Sequence, residues 1–230
     1  DLHVIFIPGF YGSRLAHATD GTTVWISAGQ ALFGSKTAAR TGFEVPGAQE
    51  LVASTVLDRI PLIPGIDAVA VDVYGDFIDT LKSTLGPHTD VHLFAYDWRD
   101  GYFEAVKKLA ALVHTLSNQK RKEETSISLI AHSMGGLITS YYLRYGAQEP
   151  EAAVETWQGA EHIDTVVMAT VPFKGSMTAF RNMKHGAKFG LNTSLIKAHA
   201  FASFRAGYEM LPIYTPVLLD HKLQALPHTL

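Results

Sequence analysis

With 230 residues, 47% of them apolar and 18% charged, the chain is long enough to bury one sizeable core without a metal or disulfide to hold it. A formal net charge of −3 gives no electrostatic basis for binding nucleic acid or an anionic surface. Cysteine is absent, which excludes disulfides, thiolate catalysis and thiolate metal sites, and neither a metal nor a cofactor is expected.

The chain opens "DLHVIFIPG", with no basic leader and no long apolar run, so neither a signal peptide nor a spanning helix is visible. That start also leads us to expect that an upstream segment has been removed, and it leaves cytoplasm and secretion equally open. Residues 3–8 read as a buried parallel strand cut off by Pro8-Gly9. From about 20 to 75 the text is mixed. "TVWISAGQALFG" suggests a short helix or flap, and a stretch of this length suits a covering element. Phe77, Ile78, Leu81 and Leu85 recur at helical spacing and stop at Gly86-Pro87.

A second strand is predicted at about 91–96, then an amphipathic helix carrying Val106, Leu109, Leu112, Val113 and Leu116 on one face. "SISLIAHSMGG" follows, a strand ending at Ala131, then Ser133, then a helix closed by Gly146. A fourth strand is expected at roughly 163–170. Strands alternating with helices imply right-handed βαβ units and a parallel sheet, an α/β fold.

The chemistry concentrates at "AHSMG", which fits the G-x-S-x-G nucleophile elbow with Ala131 in the first small position. Small neighbours let a serine stand on a strained turn, while the following helix aims free N–H groups and its positive end at a developing oxyanion. The competing reading is that Ser133 only caps a helix. Acyl chemistry needs a second N–H from another strand end, and "IPGFYGSRL" supplies the turn. The candidate oxyanion donors are the N–H groups of Phe10 and Met134. His132 reads as an orienting or packing residue. Asp97 reads as a loop residue paired with Arg99 or a backbone N–H, and Asp164 as lying at the far end of the sheet from Ser133.

"PGFYGSRL", "YDWR", "AHSMGG" and "PFKGS", in that order, resemble the lecithin-cholesterol acyltransferase-like family of α/β-hydrolases, which includes lysosomal phospholipase A2 and phospholipid:diacylglycerol acyltransferases. "RAGYEMLPIY" looks like the segment closing that family's cap, so the similarity runs from about residue 3 to about 220. The resemblance implies an α/β-hydrolase core over 1–173 with a lid at about 20–65, and a cap region with the start of a C-terminal part over 174–230. It also implies an acylated Ser133 and a lipid or other acyl ester as substrate, handled by a lipase, phospholipase, esterase or acyltransferase in transient contact with lipid surfaces. The family's N-terminal cysteine pair is missing, which fits its bacterial members better.

The acid and base are harder to find. "TPVLLD", residues 215–220, is the one late strand-like piece, and it offers Asp220 with His221 or His228. That spacing is too short for a crossover back to the sheet, which needs at least ~10 residues. His185 and His199 fall in the cap. The expectation is therefore that the last two strands lie outside this chain, supplied by a C-terminal segment of the same protein as a separate chain or absent altogether. The alternative is a catalytically silent lipid-binding or regulatory module. In the cap, Phe180, Met183, Phe189, Leu195, Ile196, Phe201, Phe204 and Met210 either meet an acyl chain or pack the cap onto the body.

Overall fold

The computed structural model describes residues 1–27, 41–43, 50–63, 66–118, 125–189, 192–214, 221–222 and 224. Its centre is a four-stranded parallel sheet built from β1 (Leu2–Ile7), β7 (Thr89–Leu93), β8 (Ser126–His132) and β9 (Thr165–Ala169), in the order β7-β1-β8-β9. Leu2 pairs with Thr89 on one side and Ser126 on the other, and Ser128 pairs with Thr165.

The sheet is covered on both faces because successive side chains of a strand point oppositely. From β1, Ile5 and Ile7 enter the main core with Val106, Leu109 and Val113 of α2 (Tyr102–Ser117) and Ile138 of α3 (Met134–Tyr145). Phe6 faces the other way and packs with Ile78 of α1 (Gly75–Leu85) and Val56. Strand β8 alternates along its length, with Ile127, Leu129 and Ala131 buried on the side of α2 and α3. At β9 the described sheet ends, and Val167 is 50% exposed.

Several elements differ from the sequence reading. The "GSRL" of the glycine-rich turn continues into β2 (Ser13–His17), the centre of a three-stranded antiparallel sheet with β3 (Thr23–Trp25) and β4 (Leu51–Val56). Thus "TVW" is strand rather than helix, Ile26 and Ser27 follow it outside any helix or strand, and residues 28–34 lie outside the described residues. β5 (Arg59–Ile63) and β6 (Ile66–Asp72) form a separate antiparallel pair. The stretch after residue 176, read as helices and loops alone, also contains β10 (Ala187–Phe189) paired with β11 (Asn192–Ile196), between α4 (Met177–His185) and the short helices α5 (Ala198–Phe201) and α6 (Arg205–Glu209). "TPVLLD" is outside the described residues.

Candidate active site

Strand β8 runs into α3 through Ser133, whose backbone adopts φ 52° and ψ −123°. A positive φ is uncommon for any residue with a Cβ and persists only where the surroundings enforce it. Two backbone bonds do so here: Ser133 N–H donates to Ala169 C=O at 2.9 Å, and Gly136 N–H donates to Ser133 C=O at 2.9 Å. The hydroxyl makes no capping bond to α3, so a capping role does not account for the residue. Close approach explains the glycine at 135, since a Cβ there would sit 2.5 Å from Ile7 O and 2.6 Å from Pro8 O.

The loop after β1 is fixed from four directions. Tyr96 Oη donates to Pro8 C=O (2.8 Å), Tyr74 Oη accepts from Gly9 N–H (2.9 Å), Trp25 Nε1 donates to Tyr11 C=O (3.1 Å) and Leu57 N–H donates to Gly12 C=O (2.8 Å). Gly12 N–H closes the turn on Gly9 C=O at 3.0 Å. Among the described residues, the N–H groups of Phe10 and Met134 have no hydrogen-bond partner. A Cβ on Gly9 would come within 2.9 Å of Ser133 Cβ, so this loop and the elbow touch.

Tyr74 joins the two halves of the site. Its Oη accepts from Gly9 N–H at 2.9 Å and shares a 2.7 Å hydrogen bond with His132 Nδ1, whose direction follows the imidazole tautomer. Burial lowers the His132 pKa below the usual histidine range and raises that of the Tyr74 phenol. His132 is thereby held by Tyr74 as a positioned side chain.

Ser133 opens into a cavity of about 320 Å³ shared by Phe10, Tyr11 and Thr170 from the core and by Asn182, Phe201 and Met210 from the later segment. Phe201 and Phe204 are buried against Phe10, and Phe204 meets Trp98 edge-on at 5.5 Å. Of the apolar residues expected to meet an acyl chain or pack the body, Phe201 and Met210 therefore line the cavity and Phe204 packs. Ile196 is buried, whereas the side chains of Phe189 and Leu195 lie outside the described residues. Two wall residues that the sequence reading missed are backbone outliers. Thr170, just after β9, has φ 50°, and Tyr11 has φ 66°. The Tyr11 hydroxyl is buried with no partner among the described residues, and burial drives its pKa far up.

The carboxylates fall elsewhere. Asp97 accepts from Arg99 N–H at 3.0 Å and from its guanidinium at 2.9 and 2.6 Å, with Arg99 fully buried and also donating to Thr41 C=O. Asp164 accepts from Ser126 Oγ and Ile127 N–H at the opposite end of β8 from Ser133. His185 ends α4, His199 lies in α5, and both are exposed. Asp220 and His228 lie outside the described residues. Among the described residues no cluster of three or more His, Asp or Glu side chains is placed to hold a metal, and no helix is long and apolar enough to cross a membrane.

A profile of the family described as lecithin:cholesterol acyltransferase matches residues 21–226. A Saccharomyces cerevisiae relative, the uncharacterized protein YJR098C, is 30% identical over 145 residues, covering 61% of this chain and 20% of its own length. Tle4, in the crystal structure of the Tle4-Tli4 complex, superposes with a TM-score of 0.59 at 18% identity over 99% of this chain and 60% of its own, and shows the α/β-hydrolase fold. The chain thus spans about a fifth of the curated relative. That relative is fungal and lends no support to a bacterial origin.

Proposed function

Because the chain belongs to the lecithin:cholesterol acyltransferase family, we propose that it acts on lipid acyl esters through an acyl-enzyme at Ser133. The observation that carries the proposal is the strained Ser133 elbow, uncapped and opening into a cavity that Phe10 shares. In the proposed reaction Ser133 Oγ attacks the ester carbonyl carbon, and its proton passes to a histidine. The oxyanion is held by the N–H groups of Phe10 and Met134, both without other partners among the described residues. Collapse breaks the bond to the alcohol oxygen, which leaves with the proton, and water or an acceptor alcohol then takes the acyl group. Water makes the protein a hydrolase and an alcohol makes it an acyltransferase.

His132, adjacent to Ser133 in the chain and bonded through Nδ1 to Tyr74, is read as an orienting residue rather than the base. Asp220 and His228 are the acid and base candidates this chain offers, and a C-terminal segment of the same protein is the other source. A fluorophosphonate probe tests the proposal on the full-length protein. Labelling of Ser133, abolished by Ser133→Ala, is the expected result. Absence of labelling would reject the acyl-enzyme and leave a lipid-binding module with no turnover.

A further inference from the structure

Asn182 sits in α4, one helical turn beyond Thr178 and Ala179, and all three line the Ser133 cavity. The residue is 6% exposed, yet its side-chain amide makes no hydrogen bond among the described residues. Its backbone carbonyl is satisfied by Gly186 N–H at 2.8 Å, which ends the helix and does nothing for the side chain. Unlike the sealed hydroxyls of Tyr11 and Tyr102, its amide atoms reach the cavity, to which they present two donors and a two-lone-pair acceptor. Packing alone would be met by leucine, of nearly the same shape, so what the amide adds is a polar end open to the cavity. The amide is thus placed to pair with a polar group that enters the cavity and displaces water.

The rest of the wall says which part of a substrate that is. Phe10, Phe201 and Met210 form an apolar side suited to methylenes. If Ser133 is the nucleophile, the scissile carbonyl oxygen belongs to the oxyanion N–H groups, and beyond it the acyl chain has nothing polar to offer. A hydrogen-bonding group must then come from the alcohol half. We infer that Asn182 is a specificity determinant, its side-chain amide hydrogen-bonding a hydroxyl in the alcohol half of the ester that Ser133 attacks. The inference rests on the proposed acyl-enzyme.

A site built to pair with a polar substrate group discriminates against an analogue lacking it, because its own group is then left buried and unpaired. The test compares glyceryl monooctanoate with propyl octanoate, which share an acyl chain and differ only in the hydroxyls of the alcohol. In the full-length protein, kcat/KM is expected to favour the glyceryl ester by ~10-fold or more, and Asn182→Leu is expected to bring the ratio to ~3 or less. Fluorophosphonate labelling of each variant reports whether the elbow is intact. Should Asn182→Leu fail to melt cooperatively, Asn182→Ala supplies the same ratio. A ratio near one in the wild type, or an unchanged ratio in a variant that still labels, would overturn the assignment of Asn182. A wild type that never labels would instead remove the acyl-enzyme, and this inference with it.

Discussion

Replacing Tyr74 by Phe isolates the bridge between the loop after β1, proposed to supply an oxyanion donor, and the elbow. The change removes one oxygen and keeps the ring that packs edge-on against Phe6 at 5.1 Å. Two hydrogen bonds go with it, Gly9 N–H to Tyr74 Oη at 2.9 Å and Tyr74 Oη to His132 Nδ1 at 2.7 Å. Each contributes about 1 kcal/mol net, and the partners left behind are only part-buried, so about 2 kcal/mol of stability should be lost. For a chain of this size that corresponds to a fall in Tm of roughly 4–8 °C. A freed Gly9 N–H lets the Phe10 peptide turn, and losing one oxyanion donor typically slows attack by ~100-fold or more, so a partial displacement should slow fluorophosphonate labelling by ~10-fold. Thermal melting and the labelling rate, measured on the same preparation, check both halves. A Tm within ~1 °C of wild type together with wild-type labelling would refute the argument, since the loop would then be held without Tyr74.

Gly135→Ala gains about 1 kcal/mol of helix propensity, yet should still destabilise by ~1–3 kcal/mol, because its Cβ meets the carbonyl oxygens of Ile7 and Pro8 rather than a side chain that can swing away. A urea midpoint equal to or above wild type would contradict this. Arg99→Lys keeps the charge but loses the fork that grips Asp97 and Thr41 C=O, at a cost of about 3 kcal/mol read by the same titration. For acid, burial holds both His132 and His92 below the ordinary 6.5, with His3 adding to the effect at His92. The unfolded chain thus takes up these protons first, so their contribution is complete above pH ~6.5 and is lost as pH falls toward the folded values. Glu209, raised by burial from 4.5, acts with the opposite sign as pH rises above that value. His92→Gln should flatten the acid side of the stability profile below pH ~6.5, and an unaltered slope would show that His92 is not among its causes.

The parallel sheet was legible because β1, β8 and β9 are short apolar-rich runs next to helices with a 3.6-residue period, whereas β7, "TDVHL", lies at Thr89–Leu93 rather than at the expected 91–96. The antiparallel pieces were not. Strand β2 finds its partner β4 more than thirty residues away, and its text "SRLAH" mixes serine, arginine and histidine with two apolar residues. Such a strand is made by its neighbours: Ser13 accepts from Trp98 Nε1 through its carbonyl and from Tyr96 N–H through its hydroxyl, contacts that no local pattern announces. Pro61 inside β5 argues against a strand when read alone and is tolerated in a two-stranded ribbon. In the segment after β9, "AKF" and "NTSLI" are too short to show an alternation against the helical segments around them.

The elbow itself lies within a few residues of chain, which is why Ser133 and Met134 could be picked out from the sequence. The parts that hold it are spread along the chain. Tyr74 comes from the turn before α1, Thr170 from the end of β9 and Asn182 from α4, and each acts through one atom or one dihedral angle. Thr170 stands just before the "PFKGS" stretch, so a motif search that extended two residues upstream would have caught it. No comparable signal marks Tyr74: a tyrosine opening a helix is unremarkable until its hydroxyl is found between Gly9 and His132. The loop after β1 is pinned by side-chain and backbone bonds from residues 25, 57, 74 and 96, with Phe10 N–H left over. Its precision is therefore a property of the assembled fold. A short peptide carrying "PGFYGSRL" alone would contain the residues and none of the geometry.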